Sequence, residues 1–210
     1  MTITSYASLK SEIAAWLGRD DLTDRIDTFI DLTEADFNKR LRVRDMEVAA
    51  VTETVDGAET VALPDDFLEM RDLRITNTDP QHSLQWYPIQ ALHEAYPFSG
   101  QNRPRGFAIS DDRIYLRPTP DAVYRLRMTY FEKIRPLSDI NTTNWMIEND
   151  PETYFYGAMH HAAIFMRNTE QVRVWTEKYE AALRLVEDRS RKAYTPRGKT
   201  RARAYSGYIT

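Results

Sequence analysis

The sequence predicts an α+β protein in which N- and C-terminal helices form a bundle and an antiparallel β-domain is inserted between them. Apolar residues recur every three or four positions near both ends of the chain, which is helical spacing. Between these regions, β-branched and other apolar residues alternate with polar ones, as in half-buried strands. The last stretch carries basic residues and few large apolar ones, so it predicts an extended basic arm.

The predicted organisation is a single domain over residues 1–210. Within it, residues 1–46 hold the N-terminal helices, 47–135 the β insertion, 136–193 the C-terminal helices and 194–210 the arm. At 42% apolar residues, the chain has enough apolar surface to bury a core. No apolar run approaches the roughly 20 residues of a membrane span, so we expect no membrane partner.

Two amphipathic helices are predicted at the N-terminus. The first, Ser5–Leu17, ends at Gly18, because glycine readily adopts the left-handed conformation of helix ends. Its apolar stripe is Leu9, Ile13 and Trp16. The second, Leu22–Val43, carries charged residues on its opposite face. Its stripe is Ile26, Phe29, Ile30, Thr33, Phe37 and Leu41.

The central region predicts four to six antiparallel strands. Val48–Val55 and Thr60–Leu63 flank Asp56-Gly57, a dipeptide typical of hairpin turns. Phe67–Ile75 is predicted as the next strand. A short helix is expected to start at Pro88.

A second hairpin is predicted from Gly106–Ser110 and Arg113–Arg117, which Asp111-Asp112 connects. Its apolar residues are Phe107, Ile109, Ile114 and Leu116. Val123–Lys133 alternates apolar residues with Arg and Thr, and it predicts the last strand of the insertion.

Two further helices are predicted before the arm. Asp150-Pro151 indicates a helix start, with Asp as the N-cap and Pro at the first helical position. This helix runs to about Asn168, and the next runs from Thr169 to about Lys192. The apolar stripe of the last helix is Val172, Trp175, Tyr179, Leu183 and Val186.

The sequence lacks the patterns of a catalytic or metal site. It has no cysteine, which excludes disulfides and thiolate ligands. His160 and His161 are adjacent on a predicted helix and diverge by about 100°, so they cannot hold one ion together. Asp20-Asp21, Asp65-Asp66 and Asp111-Asp112 lie at predicted turns or helix starts, where Asp is favoured for backbone hydrogen bonding. We predict no enzyme activity, no cofactor and no metal.

The charge of the chain is strongly polarised. Arg189–Thr210 holds seven of the 28 basic residues, three tyrosines and no carboxylate, whereas the 188 residues before it carry a net charge of −11. Arg, Lys and Tyr together can bind phosphates and stack on bases, which indicates a nucleic-acid-binding accessory protein acting through the arm. The same composition can dock in an acidic groove of a protein partner. The acidic body disfavours free DNA binding, because it repels a duplex.

Three segments resemble the head-to-tail adaptor proteins of tailed bacteriophages, which include tail tubular, gatekeeper-type and gene-transfer-agent adaptors. The first is Leu63–Leu73 (LPDDFLEMRDL), and the second is Gly106–Pro120 (GFAISDDRIYLRPTP). The third is Tyr124–Asn168, where YRLRMTYFEKIRPLSD leads to NWMIENDPETYFYGAMHHAAIFMRN. The order of helices, strands and helices is also similar to that family.

The resemblance implies a virion protein that forms a ring, usually of twelve copies, beneath the portal protein and joins the capsid to a downstream tail protein. The lumen of such a ring is the channel for genome DNA during ejection. The resemblance also implies that the C-terminal segment grips the portal and that the protein is made in the cytoplasm of the bacterial host. From the composition of the arm, the expected contact residues are Arg191, Lys192, Tyr194, Arg197, Lys199, Arg201, Arg203, Tyr205 and Tyr208.

Overall fold

Six α-helices and eight β-strands make up the part of the chain that the computed structural model describes, residues 3–97 and 100–194. The helices are α1 (Tyr6–Leu17), α2 (Ile26–Arg40), α3 (Ile89–Ala95), α4 (Trp145–Asn149), α5 (Pro151–Phe165) and α6 (Thr169–Tyr194). The strands are β1 (Glu47–Glu53), β2 (Thr60–Ala62), β3 (Phe67–Ile75), β4 (His82–Ser83), β5 (Gln85–Trp86), β6 (Gly106–Ser110), β7 (Arg113–Arg117) and β8 (Arg125–Glu132). The predicted α+β class is confirmed. The predicted arm lies outside the described residues, except for Tyr194.

The chain divides into two compact units. The helical unit combines the residues up to Asp45 with those from Pro136 onward, so it is built from both ends of the chain. The β unit is the continuous stretch Met46–Arg135.

Helix α1 of the helical unit is closed by capping interactions at both ends. The Ser5 side chain accepts a hydrogen bond from Ser8 N, and the Ser8 hydroxyl accepts one from Ser5 N, which makes a reciprocal capping box. Gly18 ends the helix in the left-handed conformation, with φ at 58°. The predicted helix and its end at Gly18 are confirmed.

The apolar stripe of α1 is only partly buried. Leu9 and Ile13 are fully buried, but Trp16, the third residue of the predicted stripe, is 52% exposed. The Trp16 ring lies edge-on to Phe155 and Trp175, with ring centroids 5.6 and 5.8 Å apart. The indole therefore contacts the core on one side only and leaves the other side to solvent.

The second predicted helix is shorter than its apolar pattern suggests. Residues 20–25 form a 3₁₀ helix, and the α-helix starts only at Ile26 and stops at Arg40. Arg42 Nη1 donates to the carbonyl oxygens of Asn38 and Leu41, which provides partners for acceptors at the helix end. The apolar stripe is buried nonetheless, and it includes Leu41 in extended conformation.

Helix α5 starts at Pro151 as predicted, but the cap differs from the expected one. Asp150 occupies the N-cap position without a capping hydrogen bond, and its Oδ2 instead pairs with Arg189 Nη1 at 2.6 Å. The helix ends at Phe165, three residues before the predicted end at Asn168, because Arg167 turns into the left-handed conformation at φ 54°. Helix α6 starts at Thr169 as predicted and continues to Tyr194.

A buried carboxylate links three segments of the helical unit. Glu34 on α2 is 5% exposed, and its Oε1 accepts hydrogen bonds from Leu137 N at 2.8 Å and from the Tyr154 hydroxyl at 3.0 Å. The Asn144 amide in turn donates to the Tyr154 hydroxyl at 2.6 Å. Burial raises the pKa of Glu34 to about 7, although the hydrogen bonds from Leu137 and Tyr154 act in the opposite direction.

Replacing Glu34 by glutamine is expected to remove a loss of stability that the protein otherwise shows between about pH 5 and pH 8. Because the pKa of Glu34 is higher in the folded than in the unfolded chain, its contribution is fully present at low pH and is lost as the pH rises through about 7. At pH 8 the Glu34→Gln variant should therefore be more stable by about 2–3 kcal/mol. Urea unfolding at pH 5 and pH 8 measures this, and the exposed variant Glu177→Gln should keep the wild-type profile. An unchanged profile in Glu34→Gln contradicts the buried carboxylate as its cause.

The β unit consists of two four-stranded sheets, with strand orders β1-β8-β3-β4 and β2-β7-β6-β5. The prediction of four to six strands is too low, because β4 and β5 are only two residues long and carry no periodic signal. The β5–β6 pair is parallel, whereas the other pairs of named strands are antiparallel. The β2-β7-β6-β5 sheet is thus mixed, whereas the β1-β8-β3-β4 sheet is purely antiparallel.

The predicted hairpin across Asp56-Gly57 is wrong. Strand β1 pairs with β8 in one sheet, and β2 pairs with β7 in the other. Gly57 still turns the chain, at φ 76°, but its N–H bonds to Pro120 O, and Thr54 N bonds to Tyr124 O. The turn therefore passes the chain from one sheet to the other instead of folding it back on itself.

The second predicted hairpin, β6–β7, is confirmed. Asp111 and Asp112 both have positive φ, 50° and 55°, which is the turn geometry that matches strand twist. The helix predicted from Pro88 is also confirmed as α3, and β3 has the predicted bounds. Strand β8 lies between β1 and β3, and it supplies the core with Leu126, Met128 and Tyr130.

Candidate interaction surface

An aromatic groove lies on the helical unit where α1, α5 and the first half of α6 meet. Its volume is about 670 Å³, which is within the usual range for ligand pockets. Its lining residues are Ile3, Glu12, Trp16, Asn149, Asp150, Pro151, Glu152, Phe155, Tyr156, Gln171, Val174, Trp175 and Lys178. These residues define what we call the aromatic groove.

Four aromatic rings from three helices form the apolar surface of the aromatic groove. Phe155 and Trp175 are buried and meet edge-to-face at 5.9 Å, and Trp16 contacts both of them. Tyr156 lies 6.1 Å from Trp175. Because the inner rings fix its position, the half-exposed Trp16 presents a rigid apolar surface at the groove.

Carboxylates border this apolar surface. Glu12 Oε1 accepts a hydrogen bond from Trp16 Nε1 at 2.9 Å, which orients the indole. Asp150 is neutralised by Arg189, and the Lys178 ammonium lies over the Tyr156 ring at 5.5 Å. Glu152, by contrast, has no ion-pair partner within residues 3–97 and 100–194. Aromatic faces beside carboxylates suit side chains that are cationic or that combine a ring with a polar tip.

A sequence profile of the SU10 adaptor protein family matches residues 4–202 of this chain. The chain belongs to the SU10 adaptor protein family. The matched range covers both units and extends into the basic arm. The resemblance to phage head-to-tail adaptors is thereby confirmed at the family level, whereas placement among tail tubular, gatekeeper-type or gene-transfer-agent adaptors stays a prediction. No curated protein shows a significant sequence match.

Three of the nine expected portal-contact residues of this SU10 adaptor family member lie within the described structure. Arg191, Lys192 and Tyr194 belong to the last turn of α6. Arg191 Nη1 lies 3.5 Å from Asp188 Oδ1, and Tyr194 is 45% exposed. Arg191 and Tyr194 also line a basic cleft of about 430 Å³ together with Arg40 and Arg42. The six others, Arg197, Lys199, Arg201, Arg203, Tyr205 and Tyr208, lie outside the described residues.

The adjacent histidines and one acidic pair make contacts within the helical unit. His160 Nδ1 lies 3.0 Å from the Thr176 hydroxyl, and burial lowers the pKa of both His160 and His161. Asp21 pairs with Arg19. In the part of the chain that the structure describes, no group of three or more potential ligands could hold a metal ion.

Hydrophobic membrane-spanning segments are also absent from the described helices. None of them is both long enough and apolar enough to cross a bilayer. The longest, α6, has a charged face along its whole length.

Sequence analysis missed the aromatic groove. Periodicity predicts Trp16 and Trp175 as core residues alike, because both lie on apolar stripes. Only the packed helices show that one of these rings is buried and the other half exposed. A tryptophan at the last turn of an amphipathic helix, where coverage by neighbouring helices ends, is the signal that points toward such a site.

Proposed function

We propose that this protein is a structural head-to-tail adaptor in the virion of a tailed bacteriophage. It assembles as a ring of twelve copies below the portal, joins the capsid to the next tail protein and surrounds the channel through which DNA is ejected. It is made in the cytoplasm of the bacterial host, has no enzymatic activity and uses neither cofactor nor metal. The observation that carries the proposal is the family match over residues 4–202.

The basic arm is the proposed portal-binding element. It follows α6 directly, so the last turn of a long, well-packed helix sets its starting point. Arg191, Lys192 and Tyr194 begin the contact surface. The basic cleft that Arg191 and Tyr194 share with Arg40 and Arg42 extends it. Arginine forks on acidic groups, together with tyrosine anchors, provide affinity that salt weakens only in part.

The charge of the body supports a DNA channel rather than a DNA-binding site. The 188 residues before Arg189 carry a net charge of −11. A surface of that sign repels phosphates, so DNA passing through a ring of such subunits is not held by its wall.

A nucleic-acid-binding accessory protein is the second candidate, and the observation that favours it is the arm itself. Residues 195–210 carry four basic side chains and two tyrosines with no acid. Such a segment can track a phosphate backbone and stack on bases. In that case the protein would bind DNA more tightly than it binds the portal.

Cryo-electron microscopy of intact virions tests the adaptor proposal. We expect a closed ring of this chain between portal and tail, with the arm in contact with the portal. Density for the chain at the tail tip, inside the capsid or on the packaged DNA would contradict the proposal. Because the whole particle is imaged, the test is valid even if the isolated protein is monomeric.

A further inference from the structure

The aromatic groove has the features of a peptide-binding site. It is concave, its surface is mainly aromatic, and a tryptophan that is 52% exposed lies at its border. Exposed aromatic surface in a rigid concave setting marks an interaction site in soluble proteins. Because all of its lining residues belong to the helical unit, the groove forms when that unit folds.

We propose that, before the protein enters a particle, the aromatic groove holds the chain's own C-terminal segment, Thr195–Thr210. The portal and the groove then compete for the same segment. This goes beyond the adaptor function, because it concerns the unassembled protein.

The chemistry of the segment matches that of the groove. Its sequence, TPRGKTRARAYSGYIT, carries four basic side chains and two tyrosines and no acid. Tyr205 and Tyr208 can stack against Trp16, and arginines can reach Glu12 and Glu152 or the indole face. Glu152 strengthens this match, since it has no ion-pair partner in the described ranges 3–97 and 100–194.

The length of the segment is sufficient for it to reach the groove. On α6, the groove-lining residues Gln171 and Lys178 precede Tyr194 by 23 and 16 positions, a distance of about 24–35 Å at 1.5 Å per residue. From Tyr194 to Tyr205 an extended chain spans about 36–40 Å. The tyrosines can therefore lie in the groove of the same copy, and a neighbouring copy is also within reach.

Cysteine cross-linking tests the proposal on the full-length chain. Because the protein contains no cysteine, two introduced ones form a single possible disulfide in each molecule. We pair Ser206→Cys, between the two tyrosines, with Gln171→Cys, an exposed residue of the groove that is not one of the proposed charge contacts. The matched control pairs Ser206→Cys with Glu177→Cys, an exposed glutamate on α6 that does not line the groove and lies six residues nearer than Gln171 to the start of the arm.

We expect the Gln171→Cys pair to form a disulfide about tenfold faster than the control under mild oxidation, because docking raises the local concentration of the two thiols. Excess synthetic peptide of the sequence 195–210 should slow the reaction, and so should Trp16→Ala in the same background. Gel migration without reductant separates a link within one chain from a link between two copies.

Equal rates for the two pairs would overturn the proposal, and so would a rate unaffected by Trp16→Ala in a variant with an unchanged circular dichroism spectrum. Neither result bears on the adaptor function, which is tested on particles. Conversely, a fast cross-link together with a missing ring would remove the adaptor proposal and leave the groove as the binding site of the segment.

Discussion

Deleting Thr195–Thr210 is expected to leave the protein folded and to abolish its attachment to the portal. The deletion starts one residue after α6 ends, so every hydrogen bond and ion pair described for the helical unit remains. Infected cells that make only the truncated protein should accumulate filled heads without tails or heads that leak DNA. Infectious titre and negative-stain microscopy of lysates measure the effect, and a purified portal measures binding directly.

Two matched variants separate charge from anchoring in this experiment. One replaces Arg197, Lys199, Arg201 and Arg203 by glutamine, and the other replaces Tyr205 and Tyr208 by alanine. Both should weaken portal binding, since the proposal uses both kinds of contact. Phosphate binding with six or more contacts falls by 10³ or more between roughly 50 and 200 mM salt, so portal binding should be less sensitive to salt than that. Unchanged portal binding together with lost DNA binding would favour the nucleic-acid-binding function.

Replacing Gly157 by alanine is expected to destabilise the helical unit by about 1–3 kcal/mol, despite the better helix propensity of alanine. Gly157 lies on α5 between α2 and α6, and an added methyl group would collide with the Thr33 side chain and lie 3.1 Å from Tyr179 Cε2. Thr33 cannot move aside easily, because it is fully buried and its hydroxyl donates to Phe29 O at 2.8 Å. Thermal or urea unfolding measures the loss.

The control for this variant is Gly100→Ala. An added methyl group at Gly100 meets no atom within 4 Å, and the residue has no left-handed φ. Its unfolding midpoint should therefore match that of the wild type. If Gly157→Ala is as stable as Gly100→Ala, the close contact between α2 and α5 is looser than the structure indicates.

Sequence could predict an element where its residue pattern matches the element that it packs or pairs with in the fold. The stripe of α2 from Ile26 to Phe37 is buried in full, because the apolar face of an amphipathic helix packs against the core. The turn at Asp111-Asp112 joins adjacent strands, because β6 and β7 are of equal length and pair with each other. Asp56-Gly57 is an equally typical turn dipeptide, but the strands on either side of it do not pair with each other. Strand β1 forms seven residue pairs with β8, whereas β2 is only three residues long.

The candidate site could not be predicted in the same way. The groove depends on how far α5 and α6 cover Trp16, and the spacing of apolar residues along one helix holds no information about that coverage. The contrast in charge between the arm and the rest of the chain, however, can be read from the sequence, because it depends only on the order of the residues. The sequence thus identifies the basic arm, and the structure identifies the aromatic groove as its proposed binding site.

The division of the helical unit between the two ends of the chain has a consequence for biosynthesis. Helices α1 and α2 leave the ribosome before α5 and α6 exist, and the entire β unit, Met46–Arg135, is made in between. At about 5–20 residues per second, the apolar stripe of α2 waits on the order of ten seconds for its partners. The β unit, as a continuous stretch, can fold first. A polypeptide that terminates before α6 is made therefore never completes the helical core.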